Sequence, residues 1–370
     1  MSFSAADYSH MARALQLAKK GWFSTHPNPR VGCVIVKDSS IIAEGFHRRA
    51  GEPHAERMAL ANANDSVVGA TAYVTLEPCC HFGKTPPCTE GLIEAGIAEV
   101  VIAMQDPNPL VAGKGIARLN EAGIKARVGL LEQQAQALNP GFIKRMREQR
   151  PYVRCKLASS LDGRTAMASG ESVWISSEQS RRDVQFLRAE SSAIITGIGT
   201  VVEDDPSMNV RLDGKDLGLD DDLILLQPLR VILDSRLQTS PAAKILNQPG
   251  DVMIVYDKSL VSSRQYPANV EIIGLDAKGK ELDLKQVLKL LAERQINEAL
   301  VESGATLAGG FLQAGLLDEI ILYQAPHVMG DGARGLFHLP GLDKMSDRIE
   351  LTETDRRMIG KDVRVTFEVT

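Results

Sequence analysis

A short stretch of the sequence concentrates the residue types that bind transition metals. His54 and Glu56 form a His-x-Glu pair, and Cys79, Cys80 and Cys88 follow, the first and last of them directly after a proline. One neutral imidazole and two thiolates fill three positions of a tetrahedral zinc and leave the fourth for water, as a catalytic zinc site requires. Glu56 stands two residues beyond the proposed His ligand, within reach of protons on that water. These residues predict a catalytic zinc site.

The arrangement of His-x-Glu, then Pro-Cys, then a later Cys, is the described pattern of zinc-dependent deaminases. One feature departs from it, because residues 80–87 separate the two cysteines where the usual form has a Cys-x-x-Cys spacing. Two alternatives remain at this point. The zinc could be structural, or the cysteines could be small buried hydrophobes of a reduced protein.

The surrounding sequence predicts elements that would bring these ligands together. Pro53 precedes an Ala/Leu/Met-rich run that is typical of a helix, and residues 71–76 are typical of a short strand. A second helix is expected to begin at Cys88. Two helix starts, one of them after a strand, would aim the ligands at one point.

Composition narrows the class of protein. With 370 residues and 44% hydrophobic composition, the chain is expected to form two domains. Five cysteines without regular spacing favour a reducing compartment, and no leader-like or membrane-spanning run occurs, so we expect a cytoplasmic protein. The net charge is -5, with a slight basic excess only before residue 150, and no clustered basic surface predicts nucleic-acid binding.

The first half alternates helices and strands, which predicts a sheet covered on both faces. A helix is expected over 4–21, a hairpin over 31–46 with its turn at 38–40, and strands over 100–104 and 125–128. A helix ending near Gly123 should lie between the last two. Asn28 could bind the edge of a heterocycle or simply form a turn, and His47 could touch a substrate or be a solvated strand-end histidine.

The stretch 131–150 is long, polar and increasingly basic, and it ends before Pro151, which marks a boundary. Beyond it we expect a second α/β domain. Its strands are predicted over 152–158, 193–196, 230–233, 252–256, 270–275 and 299–302, and its helices from Ser176 or Ser177 to about Ala189 and over 284–295. The acidic run 220–222 is expected to be an exposed turn.

Two strand-to-helix turns in this second half contain glycine, at 197–200 and at 303–310. Glycines at a helix start let backbone amides approach a phosphate, although they also permit close helix packing. Neither turn has the Gly-x-Gly-x-x-Gly fingerprint, so a nucleotide, if one binds, would require a different nucleotide-binding fold.

Taken in order, these motifs resemble the bifunctional deaminase/reductase family of riboflavin biosynthesis over nearly the full chain. The motifs that establish the resemblance are Pro27-Asn28-Pro29, His54-Ala55-Glu56, Leu76 to Cys79, Thr85 to Cys88, Lys156 to Gly163, Gly170 to Ser172, Gly199-Thr200 and Glu302-Ser303-Gly304. The resemblance implies a cytidine-deaminase-like α/β/α domain over 1–149 and a dihydrofolate-reductase-like α/β domain over 150–370. It also implies two steps, a zinc-dependent deamination of a phosphorylated diaminopyrimidine and an NADPH-dependent reduction of its ribosyl group to ribityl.

The resemblance further assigns roles by position. Zinc goes to His54, Cys79 and Cys88, with Cys79 preferred over Cys80 because it directly follows Pro78, and Glu56 becomes the proton shuttle. Lys156 and Glu302 become catalytic candidates of the reductase, with a structural ion pair as the alternative. The implied substrate contacts are Asn28, His47, Lys84, Asp106, Asn108, Ser172, Arg188, Met208, Arg211 and Glu302. The implied cofactor contacts are Ala158, Trp174, Thr200, Asp204, Gly304, Ala305, Thr306, Leu307, Gly309 and Gly310.

The family also implies a homo-oligomer, either a dimer or a tetramer, whose partners are small molecules rather than nucleic acid or membrane. Two rival functions remain. One is a nucleotide or tRNA-base deaminase with a non-catalytic second domain, and the other is a non-catalytic zinc protein that senses a ligand.

Overall fold

The structure is a computed structural model that describes residues 2–81, 86–109, 111–220, 222–223, 225–261, 264–279 and 281–370. The chain forms two compact units, the first made of Met1–Gln149 with Gly214–Leu225 and the second of Arg150–Asp213 with Leu226–Thr370. The predicted ranges 1–149 and 150–370 place the segment 214–225 with the second half instead. As functional domains these two ranges stay predictions. Within the described residues, no helix combines the length and apolar character that crossing a bilayer needs.

The first unit alternates helices and strands, as its sequence predicts. Its helices are α1 Ala5–Lys19, α2 Ala55–Ala61, α3 Cys88–Glu94, α4 Lys114–Glu121, α5 Glu132–Leu138 and α6 Pro140–Glu148. Its strands are β1 Gly32–Lys37, β2 Ser40–Phe46, β3 Thr71–Leu76, β4 Glu99–Met104 and β5 Lys125–Val128.

Helix α1 shows how closely the local sequence determines these elements. The Ser4 hydroxyl accepts a hydrogen bond from the Asp7 amide, and the Asp7 carboxylate accepts one from the Ser4 amide, which forms a capping box. The apolar residues at helical spacing are those that the helix buries against the sheet: Met11, Ala14, Leu15, Leu17 and Ala18.

The described strands of the first unit form one sheet in the order β2-β1-β3-β4-β5. Strand β1 is antiparallel to both β2 and β3, whereas β3, β4 and β5 are parallel to one another. The carboxyl ends of β3 and β4 therefore meet at the same edge. Glu77 to Cys79 follow β3 there, and Gln105 and Asp106 follow β4, so the sheet itself brings these two loops together.

The second unit is also α/β. Its strands are β6 Tyr152–Ser159, β7 Arg164–Ala166, β8 Ala193–Gly197, β9 Leu229–Leu233, β10 Val252–Asp257, β11 Val270–Leu275, β12 Ala277–Lys278, β13 Glu281–Leu282, β14 Glu298–Val301, β15 Glu319–Gln324, β16 Arg334–Gly335, β17 Leu351–Ile359 and β18 Asp362–Val369. Its α-helices are α7 Glu178–Glu190, α8 Ile198–Asp204, α9 Leu284–Glu293 and α10 Ala305–Gln313.

A large sheet in the order β11-β10-β9-β8-β14-β6-β15-β18-β17 organises this unit. Neighbouring strands from β11 to β15 are parallel, and β18 and β17 complete the sheet in antiparallel pairs. Ligands of such sheets collect at the carboxyl ends of the parallel strands. Both glycine-containing turns lie there, because one follows β8 and the other follows β14.

Candidate active sites

The proposed zinc ligands converge although they come from three different elements. His54 is the N-cap residue of α2, Cys88 is the first residue of α3, and Cys79 follows β3. The Nδ1 atom of His54 lies 3.5 Å from Sγ of Cys79 and 3.4 Å from Sγ of Cys88. Zinc–ligand bonds of about 2.0–2.3 Å place tetrahedral ligands about 3.5 Å apart, so this donor set fits zinc in both chemistry and spacing.

The cysteine pair is electrostatically suited to bind a cation. The pKa of Cys79 is lowered to about 4, first because the Cys88 thiol donates a hydrogen bond to it and further because of His54 and the Cys88 amide, which together outweigh burial. The Cys88 amide lies 3.3 Å from the Cys79 sulfur. The thiolate is the form of cysteine that binds metal, so Cys79 is prepared as a ligand.

Glu56 is buried beside this triad, with 3% of its surface exposed. It lies in the first turn of α2, two residues after His54. Burial raises its pKa, and the nearby charge of Cys79 raises it further. A raised pKa makes a carboxylate a better proton acceptor, which suits general acid–base chemistry.

His47 lies beside the proposed ligand His54, with their ring centres 5.3 Å apart, and it holds Asn28. Nδ1 of His47 is 3.1 Å from the Pro53 carbonyl oxygen, which can only accept, so this nitrogen is the donor. Nε2 of His47 then accepts from the side-chain amide of Asn28 at 3.0 Å. Burial lowers the pKa of His47 to about 4, which keeps the ring neutral. The structure thus gives His47 two internal hydrogen-bond partners, and Asn28 stands nearer to the surface.

Asp106 and Asn108 lie on the loop after β4, at the same sheet edge as Cys79. Burial raises the pKa of Asp106 to about 7, and its Oδ1 atom accepts from the Asn108 amide at 2.8 Å. The loop therefore offers a carboxyl group and an amide side chain near the metal ligands. Lys84, the remaining predicted contact of this site, lies outside the described residues.

In the second unit, strand register places Lys156 and Glu302 side by side. Val301 pairs with Cys155, so the next residue on each parallel strand is Glu302 and Lys156 respectively. Glu302 is bound by Arg188, whose Nε and Nη2 atoms donate to its two oxygens at 2.6 and 2.9 Å. Burial raises the pKa of Glu302, but Arg188 more than offsets this and the net shift is downward. Burial lowers the pKa of Lys156.

This ion pair refines the prediction for the site. Among the ion pairs of the described residues, Glu302 pairs with Arg188 and not with Lys156. Arg188 also donates to the Asn209 carbonyl oxygen at 3.1 Å, so each of its guanidinium nitrogens has a protein partner. Arg211 is exposed and has a longer contact of 3.4 Å with the Asn209 side chain. Arg211 is thus the more accessible of these two predicted substrate contacts.

The remaining predicted substrate contacts of this unit differ in accessibility. The Ser172 hydroxyl is 3.5 Å from Oδ1 of Asp204. Met208 is 4% exposed and its side chain packs in a hydrophobic core, so its predicted contact with substrate stays a prediction that would have to involve the backbone. Sequence alone gave no sign of this burial.

The predicted cofactor contacts mostly surround the two glycine-containing turns. The Gly304 amide donates a hydrogen bond to the Thr200 hydroxyl at 3.3 Å, and this bond joins the two turns. The side chain of Trp174 is 72% exposed, and the Arg181 guanidinium lies 4.4 Å from the centre of its ring. Gly304 is the N-cap of α10, and a Cβ there would meet nothing within 4 Å. The first turn of α10 contains Ala305, Thr306 and Leu307. Ala158 is the last residue but one of β6, and Asp204 is the last residue of α8. Backbone amides at the start of a helix can approach a phosphate, so this region stays the predicted cofactor site.

Two neighbouring glycines of α10 differ in how much space surrounds them. A Cβ on Gly309 would lie 2.1 Å from the His338 carbonyl oxygen, so glycine is required there for packing. Gly310 faces Leu284, and an added Cβ would make only ordinary contact at 3.7 Å. Close helix packing, the alternative to phosphate binding for these glycines, therefore explains Gly309.

Sequence reasoning gave no role to Glu77 or Asn209, although both contact the predicted sites. Glu77 is buried and accepts backbone hydrogen bonds from the Asp106 loop. Asn209 joins Arg188 to Arg211. An acidic residue that directly follows an apolar strand and precedes Pro-Cys was a usable signal for Glu77. Asn209 had no such signal.

Comparison with known proteins decides the family. Residues 4–104 match the family model of the cytidine and deoxycytidylate deaminase zinc-binding region, and residues 151–365 match that of the RibD C-terminal domain. The riboflavin biosynthesis protein RibD of Escherichia coli K12 is 52% identical over 360 residues, covering 96% of this chain and 98% of that protein. The chain belongs to the RibD family.

Solved RibD structures agree over the full length. RibD of Acinetobacter baumannii is 46% identical with a TM-score of 0.89, and the alignment covers 99% of each chain. The diaminohydroxyphosphoribosylaminopyrimidine deaminase/5-amino-6-(5-phosphoribosylamino)uracil reductase of Thermotoga maritima is 34% identical with a TM-score of 0.87, again over 99% of each. The fold is therefore a cytidine-deaminase-like unit followed by a dihydrofolate-reductase-like unit, and the protein is a bifunctional deaminase/reductase of riboflavin biosynthesis.

Proposed function

We propose that the protein catalyses two consecutive steps. The first is hydrolytic deamination of 2,5-diamino-6-(5-phosphoribosylamino)pyrimidin-4-one, and the second is NADPH-dependent reduction of the ribosyl group, which gives 5-amino-6-(5-phosphoribitylamino)uracil. The main support is the His54, Cys79 and Cys88 triad with Glu56 buried beside it. The name of the Thermotoga maritima relative supplies the same pair of reactions for that protein.

In the deaminase step, His54, Cys79 and Cys88 would hold zinc, which when bound supplies an activated water as the nucleophile. Glu56 would accept the proton released by that water and pass it to the ring nitrogen next to the attacked carbon. The same carboxylate would then take the second proton, from the hydroxyl group now on the attacked carbon, and give it to the amino group, which leaves as ammonia. Burial keeps Glu56 away from bulk water, and its raised pKa lets it both accept and donate.

Asn28, Asp106 and Asn108 would orient the pyrimidine over the triad. Asn28 is held by the neutral His47, so its remaining amide groups can face the heterocycle. Asp106 and Asn108 stand on the opposite loop and offer complementary hydrogen-bonding groups. We assign Lys84 to the substrate as well, from its place in the family pattern.

In the reductase step, NADPH would supply a hydride to C1 of the opened ribosyl chain. Glu302 is fixed by Arg188, and Lys156 stands next to it as a buried amine with a lowered pKa. Lys156 would hold or deliver a proton at the reacting group while Glu302 orients it. Arg211 would bind the substrate phosphate at the surface of the site, with Arg188 and Ser172 bordering it.

The turn at Gly304 and the first turn of α10, together with Thr200, Trp174, Ala158 and Asp204, would hold the cofactor. We further propose a cytoplasmic homo-oligomer, a dimer or a tetramer. The five cysteines are not paired in disulfides, which supports a reducing compartment. Strand β17 is an edge strand of the large sheet, and such edges are common sites of pairing between chains.

The test is a coupled assay with the zinc-loaded full chain and the phosphoribosylamino-diaminopyrimidine. We expect ammonia release, and oxidation of NADPH that depends on prior deamination. NADPH and NADH should be compared at equal concentration. Ammonia without loss of NADPH would leave the deaminase proposal in place and contradict the proposed reductase step. No ammonia from a zinc-saturated sample would contradict the proposed deaminase step.

A further inference from the structure

Glu77 lies at the junction of the two loops that form the deaminase site. It follows β3 directly, is 3% exposed, and precedes the metal-ligand segment Pro78-Cys79. Its backbone amide donates to the Met104 carbonyl oxygen at 3.0 Å, which continues the pairing of β3 with β4. The side chain therefore enters the space between the carboxyl ends of these two strands.

Both oxygens of Glu77 are occupied by backbone amides. Oε2 accepts from the amides of Asp106 at 3.1 Å and Gly113 at 2.9 Å, and Oε1 accepts from the Ile116 amide at 3.1 Å. One oxygen atom thus joins the two ends of the loop 106–113, and the other joins the start of α4. Charge-assisted hydrogen bonds of this kind are stronger than neutral ones, so the loop is tied to β3 at several points.

The connection extends to the groups that would meet the substrate. The Asp106 amide is held by Glu77, and the Asp106 side chain in turn accepts from the Asn108 amide at 2.8 Å. Gly115 confirms how closely these segments pack, because a Cβ there would lie 2.1 Å from the Pro78 carbonyl oxygen and 3.1 Å from Oε1 of Glu77.

Cys79 itself is held by other contacts. Its carbonyl oxygen accepts from the Thr89 amide at 3.2 Å and from the Thr89 hydroxyl at 3.3 Å. Its sulfur lies 3.3 Å from the Cys88 amide. The start of α3 therefore fixes this ligand, whereas Glu77 fixes the opposite loop.

We propose that Glu77 is a positioning residue of the deaminase, which holds Asp106 and Asn108 in register with the metal ligands. The inference rests on the proposed function, in which those two residues bind the pyrimidine. Glu77 does not touch the substrate, since its oxygens are committed to the backbone. Glu77 therefore contributes mainly to the binding of substrate and contributes less to the reaction of bound substrate.

Glu77→Gln is the informative variant. A glutamine has one carbonyl oxygen, so its NH₂ group must face at least one of the three amides, and one or two hydrogen bonds are lost. We expect KM for the diaminopyrimidine to rise by about tenfold. The kcat should fall by less, and the zinc content should match that of the unmodified protein.

The matched control is Glu90→Gln. Glu90 lies on α3 and binds Arg118 of α4 through two hydrogen bonds of 2.7 and 2.9 Å, so its loss loosens α4 without touching the loop 106–113. We expect near-normal KM for this control. Glu77→Asp keeps the charge but shortens the reach, and it should raise KM in the same direction as Glu77→Gln. This second variant is used if Glu77→Gln folds poorly.

Two further readouts separate positioning from a general structural role. Hydrogen exchange of peptides spanning 105–113 should become faster in Glu77→Gln but not in Glu90→Gln, a result that needs no activity. In an Asn108→Ala background, Glu77→Gln should raise KM much less than it does alone, because both changes act on the same loop.

The inference is overturned if exchange and KM stay unchanged, if zinc is lost together with activity, or if the Glu77→Gln effect is undiminished in the Asn108→Ala background. Failure of the proposed function has a different signature. In that case the unmodified protein and Glu90→Gln would also release no ammonia, while the exchange measurement would still test the contacts of Glu77.

Discussion

The two sites of this protein are assembled in different ways. The zinc ligands and Glu56 come from residues 54–88, a short stretch in which each ligand lies at the start of a helix or the end of a strand. The groups proposed for reduction come from β6, α7, the segment after α8 and the turn after β14. The first site is local in sequence, whereas the second exists only once distant strands have paired.

The difference extends to charge. In the first unit one imidazole and two sulfurs face each other, an arrangement that can hold a cation. In the second unit the buried carboxylate of Glu302 already has its cation, because Arg188 binds both of its oxygens. One site is thus prepared for a metal and the other is neutralised by the protein itself. The predictions that follow test this contrast.

Glu56→Gln should produce the largest effect and should confine it to the first site. Loss of a general acid–base group typically lowers the rate about 10²–10⁴-fold, so ammonia release should nearly cease. Zinc content should be retained, and reduction of separately supplied deaminated intermediate should be unchanged. Glu52→Gln is the matched control, since Glu52 pairs with Arg49 on the preceding loop. Normal ammonia release by a zinc-loaded Glu56→Gln protein would refute the assignment.

Glu302→Ala should destabilise the second unit strongly, because it leaves the Arg188 guanidinium buried without its carboxylate. Removing one partner of a buried pair costs about 3–5 kcal/mol. Glu271→Ala removes the partner of Arg294 in an exposed pair and should cost about 1 kcal/mol or less. Urea unfolding of both variants measures the difference. Equal losses would mean that burial does not distinguish the two pairs.

Arg211→Ala should weaken binding of the phosphorylated intermediate without preventing its reduction. Loss of a guanidinium–phosphate contact is expected to raise KM by about tenfold. An analogue without the phosphate should bind both proteins equally. Arg348→Ala, which removes an exposed arginine paired with Glu350, serves as the control. A KM that stays unchanged for Arg211→Ala would assign the phosphate to other residues.

The smallest effect is expected from a change in pH, which acts here through the titration of the one buried carboxyl group of Asp106 near neutrality. Its pKa is raised from 3.8 to about 7 by burial, so the folded protein keeps a proton that the unfolded chain releases between these values. The stabilisation from this group is therefore complete below pH 3.8 and is lost as the pH rises through about 7.

Urea unfolding of the zinc-loaded protein and of Asp106→Asn at about pH 6 and about pH 8 provides the measurement. The free energy of unfolding should fall with rising pH by more in the unmodified protein than in the variant. A difference between the two proteins that is the same at both pH values would contradict the raised pKa.

Much of the first unit could be predicted from sequence because its signals are local. The five apolar residues predicted for α1 are buried, the strand over 71–76 has its predicted bounds, and the hairpin turn falls at Asp38 and Ser39, both with positive φ. Pro53 before α2 and the predicted helix start at Cys88 likewise indicated that the zinc ligands would converge. The contacts of Glu77 were not predictable, because they depend on the parallel pairing of β3 with β4.

The second unit was less predictable for a physical reason. Its strands over 252–256 and 270–275 and its helix beginning at Leu284 were recognisable as local patterns. The strands β15, β17 and β18 were not predicted, and neither was the partner of Glu302. Arg188 and Glu302 are far apart in sequence, and nothing in the chain says that α7 brings one to the other. The position of Met208 in the core was missed for the same reason.

The first unit includes the segment Gly214–Leu225, so it is not one continuous length of chain. Within that unit Arg48, the residue after His47, forms ion pairs with Asp220 and Asp222. A fragment cut after Gln149 would keep every zinc ligand and lose both of these acidic partners. It would also lose Leu217, Leu219 and Leu223 of the same segment, which are buried in the whole chain. An isolated deaminase domain that keeps the surroundings of His47 must therefore also include the segment Gly214–Leu225.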